Sequence, residues 1–211
     1  MNKLLPSIFP IVAFLLLNIP VLSQNTIDHW ETVVNHDDTW RYRVNNNEPN
    51  SNWRNIGFSA SNWASGPGGF GYGDGDDNTQ ISTTTSVYLR KEFSITDATA
   101  IEAAILSVDY DDGFIAFFKG VEIARSNVSG NPPPYNQTAN NLHEAEMYDG
   151  GSPENFAIDH ALFVDGANVL AVQVHNESPW SSDLSSNVFL SLGLSLLSLI
   201  HISEPTRLAE I

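Results

Sequence analysis

The sequence predicts an all-β fold, an antiparallel β-sandwich or jelly roll, on three observations. Apolar residues alternate with polar ones through short runs. Gly, Asn, Ser, Thr and Pro break those runs about every ten residues, the spacing of strands and turns. Helical periodicity is weak throughout. Seven or more runs of this kind suit two antiparallel sheets, each with one wet face.

Along the chain, the first segment is a targeting signal. Lys3 is the only charge before Asp28, residues 4–22 are almost continuously apolar, and Val21, Leu22 and Ser23 offer the small or aliphatic positions a signal peptidase reads. This predicts a secretory signal peptide over 1–23. Pro6, Pro10 and Pro20 suit a signal better than a membrane helix. Residues 24–196 are then one mature domain, secreted or at the cell surface, with no membrane insertion after cleavage.

Within it, residues 39–44 (TWRYRV) set Trp40, Tyr42 and Val44 against Arg41 and Arg43. Residues 87–95 place Val87, Leu89, Phe93 and Ile95 on one side. Ala104, Leu106, Val108 and Tyr110 form the next stripe. Residues 114–118 and 121–124 read as a hairpin around Lys119 and Gly120, and residues 156–158, 169–174 and 188–194 complete the strands. Three segments read as loops: the Asn-rich 45–55, the Gly- and Asp-rich 66–79 (GPGGFGYGDGDDNT), and 127–141, an extended surface strap with three consecutive prolines.

Composition narrows the function classes. Nine basic residues face 25 acidic ones, a net charge of −16, which repels nucleic acid and anionic lipid. Cysteine is absent, so no disulfide, thiolate nucleophile or thiolate metal site exists. The acidic loops could attract divalent cations instead, or serve solubility alone.

Four segments carry a family resemblance. Tyr110, Asp111, Asp112 and Gly113 with the following FIAFFKGVEIARSN resemble the hairpin of galactose-binding-like jelly rolls, and residues 162–175 (LFVDGANVLAVQVH) resemble a later strand of the same folds. Residues 63–66 with 70–73 are similar to their Gly-rich opening loop, and Ser181, Ser182 and Asp183 to a further short segment. Together they resemble a module of large secreted bacterial proteins, found beside CotH-type, lamin-tail or phosphoesterase domains. The resemblance implies an accessory domain, and one that often holds a structural calcium. The chain departs from it at Lys119, where the family has Asn before Gly. Lys tolerates a type I′ turn less well, so the turn either differs or is strained. Residues 197–211 are set apart: LSLIHISEPTR resembles a translated sequencing adapter, which implies that further domains of the natural protein follow Leu196.

Catalysis finds little support. Asp111 with Asp112, Asp76 with Asp77, and Glu144 with Glu146 are paired carboxylates, but strand neighbours point to opposite faces and make a poor glycosidase pair. HEAE at 143–146 lacks the second His of a zinc-protease helix, His29, His36, His160 and His175 are scattered, and no Gly-x-Ser-x-Gly elbow occurs. For metal, Asp74, Asp76 and Asn78 alternate as oxygen ligands in a flexible loop, which suits calcium; a solvated turn is the competing reading. For a ligand, Trp180 lies in a polar loop flanked by Asn176 and Asp183, with His175 and Asp112 near strand ends. It reads equally as a sugar-stacking platform or a plug over the sandwich end. The expectation is a non-catalytic, carbohydrate-binding accessory module. A structural spacer is the alternative, and a glycan-active hydrolase a distant third.

Overall fold

The computed structural model describes residues 26–44 and 47–195; the segments read from the sequence as a signal peptide and an adapter-like tail lie outside them. Twelve strands follow one another: β1 (His29–Val34), β2 (Thr39–Arg43), β3 (Ala64–Pro67), β4 (Phe70–Tyr72), β5 (Thr79–Gln80), β6 (Ser86–Ile95), β7 (Ile101–Tyr110), β8 (Gly113–Phe118), β9 (Val121–Ser126), β10 (Glu154–Ile158), β11 (Gly166–His175) and β12 (Leu184–Leu194). They form two six-stranded sheets. One has the order β10-β7-β12-β4-β5, with β1 also paired to β12; the other runs β3-β2-β6-β11-β8-β9. Every pairing is antiparallel except β4 with β5. The molecule is the all-β sandwich that the alternation predicts. No helix among the described residues is long and apolar enough to cross a membrane.

The stripes read from the sequence meet between the sheets. Val87, Leu89, Phe93 and Ile95 of β6, Ala104, Leu106, Val108 and Tyr110 of β7, and Val188, Leu190, Leu192 and Leu194 of β12 all lie in one buried cluster with Trp40 and Phe70. Burying each large side chain there contributes about 1.5–3 kcal/mol.

Two expectations are corrected. The second sheet does not have a wet outer face. Trp53, Trp63, Tyr88, Ile115, Phe117 and Ala171 build a second buried cluster on it, packed by Phe58 and Tyr135. The 127–141 strap crosses this face and is fastened to it: Gln173 Nε2 donates to the Pro133 carbonyl (3.2 Å), Ser86 Oγ to Tyr135 (2.6 Å) and His175 Nδ1 to Gln137 (2.7 Å). The central strands are therefore covered twice, and β8 is buried at every position. Second, the 66–79 loop contains β4 and parts of β3 and β5. Gly71 serves close approach there, since a Cβ on it would collide with the Leu184 carbonyl and the Asp77 carboxylate.

The hairpin departure is settled as well. Lys119 has φ 49° and Gly120 φ 85°, so the turn keeps positive φ at both positions and Lys takes the left-handed conformation.

Candidate functional site: an acidic loop end

Strand directions gather the chemistry at one end. β7, β9 and β11 finish there, and β8, β10 and β12 begin there. The tight turn 111–112 and the loop 176–183 consequently meet. Asp111 N–H donates to the Ser185 carbonyl (2.9 Å), and Asp112 N–H to that of His175 (3.1 Å).

Asp112 is a clamp. It is buried, and its carboxylate accepts the His143 N–H at Oδ1 (2.8 Å) and the Glu177 N–H at Oδ2 (2.6 Å). Two long connections are thereby pinned to one turn. His143 stacks on Tyr110 (4.2 Å between centroids) and bridges the Tyr110 carbonyl and Glu154. Asp109 holds the next residues by accepting from Glu146 N–H (2.8 Å) and Met147 N–H (3.1 Å).

Asp111 is different. It is 5 % exposed, yet no N–H donor or cation reaches its carboxyl among the described residues; it contacts Asp112, with Asp183 and Glu144 nearby. Asp111 and Asp112 lie in a turn, not along a strand, so the expectation that they diverge does not hold. Burial first, then the negative charges of Asp112 and Asp183, push the Asp111 carboxyl up to about 8. Ligand oxygens of Asp111, Glu144 and Asp183 all lie within 4.8 Å of one another.

The foreseen metal loop sits at the same end and assembles differently. Asp74, Asp76 and Asp77 bring their carboxylates together. Beside them, Asn78 Nδ2 donates to the Gly68 carbonyl (3.0 Å). Asp77, which the sequence reading did not include among the metal ligands, packs its carboxylate against Gly71. Burial and the neighbouring Asp74 raise Asp76 to about 6, and burial with Asp74 and Asp76 raises Asp77 to about 7. The two carboxylate groups adjoin: Asp74 accepts from Ser185 Oγ (2.9 Å), and Ser185 is the residue whose carbonyl holds Asp111.

The remaining residues of the predicted ligand site are placed as follows. His175 is fully buried; Nδ1 serves the strap, and burial lowers the imidazole to about 4. Asn176 is also fully buried, its Nδ2 donating to Tyr72 Oη (2.9 Å) and the Asp183 carbonyl (2.8 Å). Neither side chain is open to solvent. Trp180 is: at 88 % exposure it is the most exposed large apolar side chain among the described residues, and it does not plug the sandwich end. Trp40, Trp53 and Trp63 are all buried. A groove of about 270 Å³ lined by Tyr42, Trp63, Gln80 and Ile81 holds none of the foreseen site residues.

No protein-family model and no curated protein sequence matches this chain. Solved structures do. A β-glucuronidase of Bacteroides uniformis is similar over 78 % of this chain and 18 % of its own, at 13 % identity and TM-score 0.50. A Ruminococcus gnavus β-glucuronidase in complex with D-glucuronic acid is similar over 79 % of this chain and 29 % of its own, at 13 % identity and TM-score 0.48. A glycosyl hydrolase family 2 member from Bacteroides cellulosilyticus is similar over 77 % and 20 %, at 13 % identity and TM-score 0.47. This chain thus spans less than a third of their length, and the likeness is one of fold.

Proposed function

We propose that this chain is a non-catalytic accessory module of a secreted or cell-surface protein, and that its loop end binds carbohydrate. The exposure of Trp180 carries the reading. An indole left in water on a loop whose two ends are fixed, by Glu177 on Asp112 and by Asn176 on Asp183, is a pre-positioned face for the C–H side of a sugar ring. Asp183 and the hydroxyls of Ser181 and Ser182 supply polar contacts beside it. The sandwich fold shared with parts of carbohydrate-active enzymes is in keeping with such a role. Asp74, Asp76 and Asp77 offer a calcium loop at the same end.

The test is a glycan array with the purified protein, followed by titration of the best ligand. By analogy with base stacking, a Trp platform contributes about 1–3 kcal/mol, so Trp180→Ala should weaken binding roughly tenfold or more with an unchanged melting temperature. Unaltered affinity in that variant moves the site elsewhere. Failure of the wild type to bind any glycan favours the spacer reading. That reading has its own support, because the Asp112 carboxylate and His175 Nδ1 are taken up by loop backbone.

A further inference from the structure

We propose that Asp111, Glu144, Asp183 and the carboxamide oxygen of Asn176 form a calcium site, separate from the 74–78 loop. Calcium takes oxygen ligands at about 2.3–2.6 Å, so two oxygens on one ion lie at most about 5 Å apart. The three carboxylates meet that condition, with their ligand oxygens within 4.8 Å of one another.

The independent observation is Asn176. Its side chain is fully buried and Oδ1 has no hydrogen-bond partner. Nδ2 is held by Tyr72 Oη and the Asp183 carbonyl, while the two flanking residues hold Asp112 from His175 O and Glu177 N. The amide is thus held between the Tyr72 hydroxyl and the Asp183 backbone, and the charges of Asp111 and Asp183 act on that same hydroxyl. Leaving such an acceptor unmet costs stability. Asp111 is buried as well, and the charged groups around its carboxyl are Asp112, Asp183 and Glu144. A hard cation can meet the amide oxygen and offset the repulsion among the carboxylates. Ligands that come from the 111–112 turn, the 127–153 connection and the 176–183 loop make a pliant oxygen cage, which suits calcium better than magnesium with its strict octahedron. The bound ion joins those three segments.

The experiment is a calorimetric calcium titration of the chelator-treated protein, with no glycan present, so it stands or falls apart from the carbohydrate reading. Wild type should show saturable binding. Asp183→Asn and Glu144→Gln should each weaken one step at least tenfold, and Asp76→Asn should leave that step in place. Both carboxylates reach solvent and their removal lessens repulsion, so both variants should fold, as melting in chelator will show. Terbium bound to the Asp76→Asn protein gives a second readout, with luminescence that calcium displaces. Absence of calcium binding overturns the site. So does a single step that Asp76→Asn removes and the other two variants leave unmoved, or terbium emission that calcium does not displace.

Discussion

Strand β11 has a buried asparagine near one end and another just past the other, and the two are treated differently. Asn168, at the short-turn end, is saturated: Nδ2 donates to the carbonyls of Val164 (2.8 Å) and Gly166 (3.0 Å), and Oδ1 accepts the Val164 N–H (3.3 Å). Asn176, at the acidic end, uses both donors and leaves its acceptor unmet. Proteins rarely leave buried polar atoms unpaired, and the exceptions gather where something else completes them. One end of the sandwich is finished by its own backbone. The other is built around carboxylates and an amide oxygen that a ligand can complete.

The largest effect that sharpens this contrast is a pH dependence. His175 in the fold has a pKa of about 4, below the ordinary 6.5, because burial disfavours its charged form. Its contribution to stability is therefore complete above pH 6.5 and is lost as pH falls toward 4, where the unfolded chain binds the extra proton. The loss is roughly 3 kcal/mol. The raised carboxyls of Asp77 and Asp111 act in the opposite sense, so the measurement is a difference. Between pH 7.5 and 4, urea unfolding should show wild type losing roughly 3 kcal/mol more than His175→Gln. Equal losses would mean that the imidazole is not held neutral.

At the finished end, Asn168→Ala removes three hydrogen bonds to one tight loop. It should destabilise by about 2 kcal/mol, by the same amount in calcium and in chelator. A calcium-dependent difference would blur the distinction between the ends. The smallest effect is a gain. Lys119 in the left-handed region is the conformation Asn adopts more readily, so Lys119→Asn should raise stability by about 0.5 kcal/mol in thermal unfolding. A loss would show that the Lys119 ammonium over the Phe118 ring, 5.5 Å away, outweighs the backbone.

The inner face of the sandwich was readable because alternation reports it directly, as at Leu106, Val108 and Tyr110. The outer cluster was less so. Period-two reading assigns one face and takes the other as wet, although the unbroken FIAFF of β8 carries the signal of a strand buried on both sides. Trp53 and Trp63 lay in segments without period and gave no sign of their shared partner. In the Gly-rich stretch, glycines required by backbone contact concealed β4. The acidic 74–78 loop was visible since its carboxylates are neighbours in sequence, and Asp77 joins Asp74 and Asp76 there. Asp111, Glu144 and Asp183 had no such signal. Each stood out separately, in a turn, in HEAE and after two serines, and only the strand order brings them to one end.

The claim that this end is completed by a cation is tested most directly by Asp111→Asn, melted at pH 9 in calcium and again in chelator. At that pH Asp111, with its pKa of about 8, is ionised. Without calcium the variant sheds a buried charge set against like charges, and it should melt above wild type. With calcium it lacks a ligand and should melt below, because an ion that binds only the folded form stabilises wild type more. A reversal of sign between the two conditions is the predicted result. A shift of the same sign and size in both would contradict the account.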